Sequence, residues 1–521
     1  MVKRVYYKLN CLWMPCIYFN MENITGVRLF KTVAVVTIFS IVTRSLAFIF
    51  KIYLSRVLGA EAMGLYQMSL SLFYLFVALS SSGLVTVLSR RVAETKALDP
   101  KNTGYALLSS SLVIGLVLTI IIVIILLLCR PYISIFFPDQ RAVPIFMIML
   151  PALITTCIYG LIRSWFWGNK DFTAFSITEL LEEVLRIGFS VLFVSGIVCG
   201  IYGENGIALA FSAADFGVAL ILTALFFLKG GRLKKPLDFK PLIKPAATLS
   251  TMRAFASIIG TIFTIMLPLR LVAGGFSISD ATASYGRIAG MANPLLFAPN
   301  AIISSLALVL IPEMSASGIK RDNASVNRHI DAGISFAIIV SGVFLVVFAS
   351  FGEELTLLLF NDSESGEYLR VAAWLLLIMP IHQISSSALN SIGMEKESFI
   401  SYLISASAML IIIYFLTPII GIYAAVIANF VTLILCTIGN LFFLNKRLAL
   451  SFRFIKPLAF IAGFSFPCIL LGKNIHSLLQ SISGIFALLA GISSVAILYC
   501  VLLSVTELIN VKGFLRLRYK S

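Results

Sequence analysis

Apolar runs of about 20 residues, the length a helix needs to cross a bilayer, recur from Phe30 to Leu503 with only short polar segments between them. Charged residues make up 12% of the 521 and hydrophobic ones 59%. A soluble domain carries about 25% charge. The chain is therefore expected to be an all-α polytopic membrane protein with about fourteen spans and no separate soluble domain. The net charge of +16 does not indicate a nucleic-acid partner, because Lys and Arg gather in alternate loops.

The spans divide the chain. Residues 1–29 form a tail in which Met21 is an alternative start. Spans 1–6 occupy 30–228, a basic linker runs over 229–246, and spans 7–12 occupy 247–444. Spans 13 and 14 lie in 457–503, and a basic tail covers 504–521. With the amino terminus inside, the outer side holds only Arg56, Arg130, Arg141, Arg270, Arg287, Arg370 and Lys473 of the 40 Lys and Arg. Both termini are thus expected in the cytoplasm.

A faint internal repeat accompanies this division. Gly168-Asn169-Lys170-Asp171-Phe172 precedes span 5, and Gly393 to Phe399 precedes span 11. Span 6 opens Gly206-Ile207-Ala208 and span 12 opens Gly421-Ile422-Tyr423, at a similar offset. Six spans per half implies two parallel lobes in pseudo-two-fold relation, with two additional carboxy-terminal helices.

One stretch departs from a plain spanning pattern. Ser284 to Asn300 is apolar, yet it contains Gly286, Gly290, Pro294 and Pro299, with Arg287 at its mouth. Such residues are expected to break a helix, and broken helices point to a transport path.

Charges inside spans are functional candidates, since an Arg or Lys near mid-bilayer costs about 2.5–3.5 kcal/mol. Thr37, Ser40, Arg44, Lys51 and Ser55 recur on one stripe of span 1, which holds no acid. Arg44 is expected to face an aqueous cavity. Lys51 lines it or snorkels outward, and Arg253 lines it or snorkels inward. Arg270 is a cavity residue or an interfacial anchor, and Arg287 a cavity residue or a mouth residue. Glu179, Glu182 and Glu183 share a face with Arg186, which suggests a local ion-pair cluster or, alternatively, gating or coupling. Asp215 is expected to pair with a cavity arginine or to bind a coupling cation. His382 sits in a polar run that suits helix–helix contacts. Trp165 and Trp167 are read as interfacial belt residues. The eight cysteines have no metal spacing, and no nucleophile, phosphate loop or zinc motif appears, so neither an enzyme nor a cofactor or metal is expected. Cations on spans 1, 7 and 8 without acids on those spans imply an anionic substrate, because arginine grips phosphate bidentately.

The chain resembles the polysaccharide transporter branch of the multidrug/oligosaccharidyl-lipid/polysaccharide exporter superfamily, and within it the sporulation group. The residues that carry the resemblance are Ser55 to Tyr66, Gly168 to Phe172, Tyr285-Gly286, and Gly290-Met291-Ala292-Asn293-Pro294-Leu295 with Pro299, closing at Ile311-Pro312-Glu313. The resemblance implies a MATE-like fourteen-helix flippase in a bacterial cytoplasmic membrane, working by alternating access. It also implies a lipid-linked oligosaccharide of the undecaprenyl pyrophosphate type as cargo, lipid II for spore cortex peptidoglycan in particular. Membrane lipids and cell-wall synthesis proteins are the implied partners. Arg44 and Arg287 match the positions of arginines in related lipid II flippases, with Lys51 beside a third. A cation-coupled multidrug antiporter of the same fold and an exporter of another envelope polysaccharide are the alternatives.

Overall fold

The computed structural model describes residues 24–99, 102–194, 203–236, 239–304, 310, 314, 322–479 and 484–505. The two expected tails fall mostly outside these, as do Cys11, Cys16, Cys199 and the Ile311-Pro312-Glu313 close. The described residues form helices and no strand. Lipid offers no partner to backbone N–H and C=O groups, so each segment satisfies its own. Among the described residues, nine helices are long and apolar enough to cross a membrane, or up to eleven if each of two bent pairs is one span.

That count lies below the fourteen expected, and the difference has identifiable places. Helix α1 (Ile24–Ser80) runs through both span 1 and most of span 2, kinked at Gly59, where φ is 77° and ψ −179°. Only glycine enters that region cheaply. α2 (Ser82–Leu98) completes span 2, and α3 is Tyr105–Leu128. α4 (Ala142–Met149) and α5 (Ala152–Gly168) form one bent pair, with Pro151 at the joint. α6 (Phe172–Val194) carries the span 5 charges that set it apart from a lipid-facing helix. α7 is Gly203–Leu228 and α8 is Lys240–Ala273. Span 8 is discontinuous. It starts as α9 (Ile278–Gly286), capped by the Ser277 side chain accepting from the Asp280 N–H. It continues as a π-helical segment, Arg287–Ala292, and a short turn, Asn293–Leu296.

The second half continues with α10 (Asn323–Phe360) and α11 (Glu364–Ala372), which tightens into a 3-10 turn. α12 (Met379–Ser391) has Pro380 in its first turn, where a missing N–H costs nothing. α13 is Glu395–Ile420, α14 Tyr423–Leu448, α15 Ile455–Leu479 and α16 Gly484–Val505. The bend between α4 and α5 is 45°, and the bend between Glu364–Leu377 and α12 is 46°. The two bends stand at corresponding places in the two halves of the repeat.

One buried apolar cluster joins Leu88, Val92, Trp165 and Phe226. Trp165 is therefore not a belt residue: it is buried, its ring stacks on Tyr105 at 5.4 Å, and its Nε1 donates to the Thr103 carbonyl at 2.7 Å. Trp167 is 40% exposed, with its ring against Phe172 and Phe175. A second, larger cluster runs from Phe50 to Leu503 and draws α15 and α16 onto α10.

Candidate functional site

The second half of α1 meets α9 almost backbone to backbone. A Cβ at Gly64 would overlap the Thr282 carbonyl, and one at Gly286 would overlap the Ala60 carbonyl oxygen. A Cβ at Gly290 would lie 2.8 Å from the Met63 Cε. Small residues permit such approach between membrane helices. The helix does not break at Gly286, which keeps φ −60° and ψ −42°. The irregularity lies just after it, in the π-helical segment that contains Gly290, a feature common at functional sites. Pro294 opens the following turn, and Pro299 closes the interruption, its carbonyl accepting from the Ile302 N–H at 3.0 Å. Gly286 is thus a contact glycine, while Pro294 and Pro299 flank the interruption proper.

A collar of charges binds this same end of the molecule, the end that the Lys and Arg distribution leads one to expect outside. Arg287 Nε donates to Asp362 at 2.9 Å, and its Nη1 pairs with Glu364 at 2.7 Å. Arg56 Nε donates to the Leu359 carbonyl at 2.7 Å, and its Nη2 to that of Leu358. Arg141 pairs with Asp139 at 2.6 Å and with Glu61 at 2.5 Å. Ser279 donates to Glu61, and Thr282 to Asp139 at 3.4 Å. Burial pushes the Asp139 carboxyl up, but hydrogen bonds from Arg141 and its charge outweigh this and hold it below the usual aspartate value. α1, α9, α10, α11 and the segment before α4 are thereby tied together. Arg287, expected as an unmatched cation, is charge-matched here, because the acidic loop after α10 folds back onto it.

α8 lies along α1 and α2 and closes the seam over most of its length. Ser71 and Thr261 hydroxyls meet at 3.3 Å, and Thr264 and Tyr285 at 3.0 Å. Farther along, Ser250 accepts from the Gly83 N–H at 3.1 Å, and a Cβ on Gly83 would overlap the Ala246 carbonyl. Arg253 Nη1 donates to the Ser82 carbonyl at 2.7 Å and Nη2 to Thr86 Oγ1 at 2.9 Å. Its role in this conformation is a clasp between α8 and α2. Arg270 stands elsewhere. Its Nε donates to the Tyr414 carbonyl at 2.7 Å, with the guanidinium 4.2 Å over the Tyr414 ring. Helical periodicity places Arg270 with Ile262, Met266 and Leu269, and not with Thr261, Thr264 and Pro268.

The first half of α1 differs. Arg44 is exposed, and its Nε donates only to Ser40 Oγ, at 3.4 Å. Among the described residues it has no ion pair. Ile38, Ile41 and Ile49 beside it are exposed too, whereas Phe50, Leu54 and Ser55 are buried. Lys51, at the boundary, is half-buried and feels the charge of Glu183. Ser55 Oγ contacts the Phe360 carbonyl at 3.5 Å. The stripe is therefore divided between an open half with Arg44 and a packed half inside the collar.

The acids of α6 form a half-buried network. Arg186 pairs with Glu182 at 2.6 Å, with Glu183 at 3.1 Å and with Asp215 of α7 at 3.7 Å. Thr156 donates to Asp215, and Arg186 lies 5.1 Å over Phe211. Glu179 pairs separately with Arg163 at 2.9 Å. Three carboxylates thus surround one guanidinium, and Asp215 has the partner that its own helix lacks.

Residues 29–318 match the family described as "Polysaccharide biosynthesis protein". Stage V sporulation protein B of Bacillus subtilis (strain 168) is 24% identical over 485 residues, spanning 90% of this chain and 93% of that protein. The structure of lipid II flippase MurJ in an inward closed conformation superposes with a TM-score of 0.69 at 13% identity, covering 90% of this chain and 98% of that one. An inward-facing multidrug resistance MATE family transporter of the MOP superfamily superposes with a TM-score of 0.66 at 16% identity, covering 78% and 96%. The fold is that of these transporters.

Proposed function

The chain belongs to the polysaccharide biosynthesis protein family, and on that premise we propose that it flips an anionic lipid-linked sugar precursor across the cytoplasmic membrane. It acts as a transporter and not as an enzyme. The observation that carries this reading is Arg44: an exposed guanidinium within a span, without an ion pair among the described residues, next to a sealed opposite end. A cation kept in a membrane without a carboxylate is costly unless its site is wet or anion-filled. A pyrophosphate linked to a lipid fits, since arginine binds phosphate oxygens bidentately. The fine assignment is an undecaprenyl pyrophosphate-linked sugar, lipid II for spore cortex. It is supported by the names of the similar proteins, a stage V sporulation protein and a lipid II flippase.

In this reading two lobes, 30–228 and 247–444, rock about the α1–α9 and α2–α8 seams. The collar at Arg287, Arg141 and Arg56 holds the outer end shut while Arg44 receives the cargo from the inner leaflet. Lys51 adds positive charge deeper in the path, and Arg253 clasps α2 to α8 until the lobes move. The segment from Gly290 to Pro299 supplies the flexible element. Both termini are cytoplasmic, and cell-wall synthesis proteins are the partners that receive the flipped precursor.

The network of Glu182, Glu183 and Asp215 around Arg186 favours a second reading, a cation-coupled multidrug antiporter. One experiment separates the two. In proteoliposomes, the first reading expects externally exposed lipid II to appear with the wild type and to stop with Arg44→Glu, with no export of cationic drugs. Drug export that survives Arg44→Glu, with no movement of lipid II, would support the antiporter instead.

A further inference from the structure

A groove of about 370 Å³ opens between α8 and α13, lined by Ile262, Ile265, Met266, Leu269, Arg270 and Tyr414. It lies on the protein's outer surface: Ile262 is 40% exposed, Leu269 47% and Tyr414 47%. Its lining is apolar except at one end, where Arg270 stands a turn from the end of α8. That is the end that bears the collar. A long cation at such a place ordinarily reaches out to the interface. Arg270 does not do so freely, because its Nε is fixed on the Tyr414 carbonyl and its guanidinium is stacked on the Tyr414 ring. The terminal nitrogens remain as donors, and no acid among the described residues forms an ion pair with them.

We propose that this groove binds one acyl chain of an anionic phospholipid, with Arg270 gripping the lipid phosphate. Charge, chemistry and length agree on this occupant. Ile262 to Arg270 spans about 12 Å at about 1.5 Å per residue. That is close to half of the roughly 30 Å hydrocarbon core, the depth of a single leaflet. A short groove of this length suits one acyl chain and not the far longer polyprenyl tail of the proposed cargo. The site is distinct from the Arg44 path, because it lies on a face of α8 turned from the α1–α2 seam.

The test uses the purified full chain in detergent with phosphatidylglycerol or phosphatidylcholine added, followed by native mass spectrometry of retained lipid and by thermal unfolding. The wild type is expected to retain phosphatidylglycerol over phosphatidylcholine and to be stabilised by it. Arg270→Gln is expected to lower phosphatidylglycerol retention about tenfold, the loss of one charge-assisted contact, with phosphatidylcholine unchanged. Arg270→Lys restores most of it. Met266→Trp, which fills the groove and keeps the charge, is expected to reduce both lipids. Equal phosphatidylglycerol retention by the wild type, Arg270→Gln and Met266→Trp would overturn the site. Arg270-dependent retention of undecaprenyl phosphate without retention of phosphatidylglycerol would overturn the assigned occupant.

Discussion

Arg44 and Arg287 are both arginines placed in or at the mouth of spans, and the molecule treats them in opposite ways. Arg287 is enclosed by Asp362 and Glu364 on a seam where glycines let helices touch. Arg44 has a serine for company and exposed isoleucines around it. The difference teaches that a membrane arginine is not by itself a binding residue. Matched, it fastens elements together; unmatched, it is available to a ligand.

The largest effect is expected from breaking the fastened side. Gly286→Val places a branched side chain where even a Cβ overlaps the Ala60 carbonyl, and overpacking costs about 1–3 kcal/mol or more. The α1–α9 seam must part. The expected results are a lower unfolding temperature and faster labelling of Thr282→Cys, a position buried against Gly64 in the seam, by a membrane-impermeant reagent. An unchanged labelling rate would show that the glycine contact does not hold the seal.

Next is the open side. Arg44→Glu is expected to reduce lipid II flipping by about 10- to 100-fold, the value of a charged hydrogen bond of about 1.5–3 kcal/mol. Its thermal unfolding should change little, since surface substitutions stay within about 0.5 kcal/mol. A large loss of stability would place Arg44 on the fastening side of the comparison.

A smaller effect is expected from Asp362→Asn, which leaves Arg287 with the more exposed Glu364. The exchange Arg287→Asp with Asp362→Arg should recover part of the lost seal, and a double-mutant cycle measures the coupling. No recovery would mean that the pair does not act as a fastener.

The smallest effect is with pH. The Asp139 carboxyl is held below the usual aspartate value of about 3.9 in the folded state. Its contribution is therefore full above that usual value and is lost as pH falls through its own lower one. Seal stability should stay flat with respect to this group from pH 5 to 7 and fall only in strong acid, and Asp139→Asn should blunt that fall. A midpoint near neutrality that disappears in Asp139→Asn would contradict the sign.

Much of this was legible in the amino-acid sequence, for reasons that can be named. Long apolar runs dictate helices when no water is present to satisfy the backbone. The glycine at 59 marks the kink between spans 1 and 2, and the Glu182, Glu183 and Arg186 spacing puts those groups on one helical face. What was hidden depends on folding across long separations. Asp362 reaches Arg287 over 75 residues, and helical spacing says nothing about which loop returns to which mouth. In the sequence Gly286 reads as a break because glycine in a membrane helix has two uses, flexibility and close approach, and only the neighbour distinguishes them. Trp165 reads as a belt residue in the sequence for a similar reason: its partner, the Thr103 carbonyl, lies on another segment.

The most direct test is the affinity of purified protein for lipid II in wild type, Arg44→Gln and Arg287→Gln, measured side by side in detergent. The account predicts that Arg44→Gln weakens binding about tenfold or more while Arg287→Gln, whose arginine is already matched, leaves it within about twofold. Equal weakening by both substitutions, or none by Arg44→Gln, would contradict it.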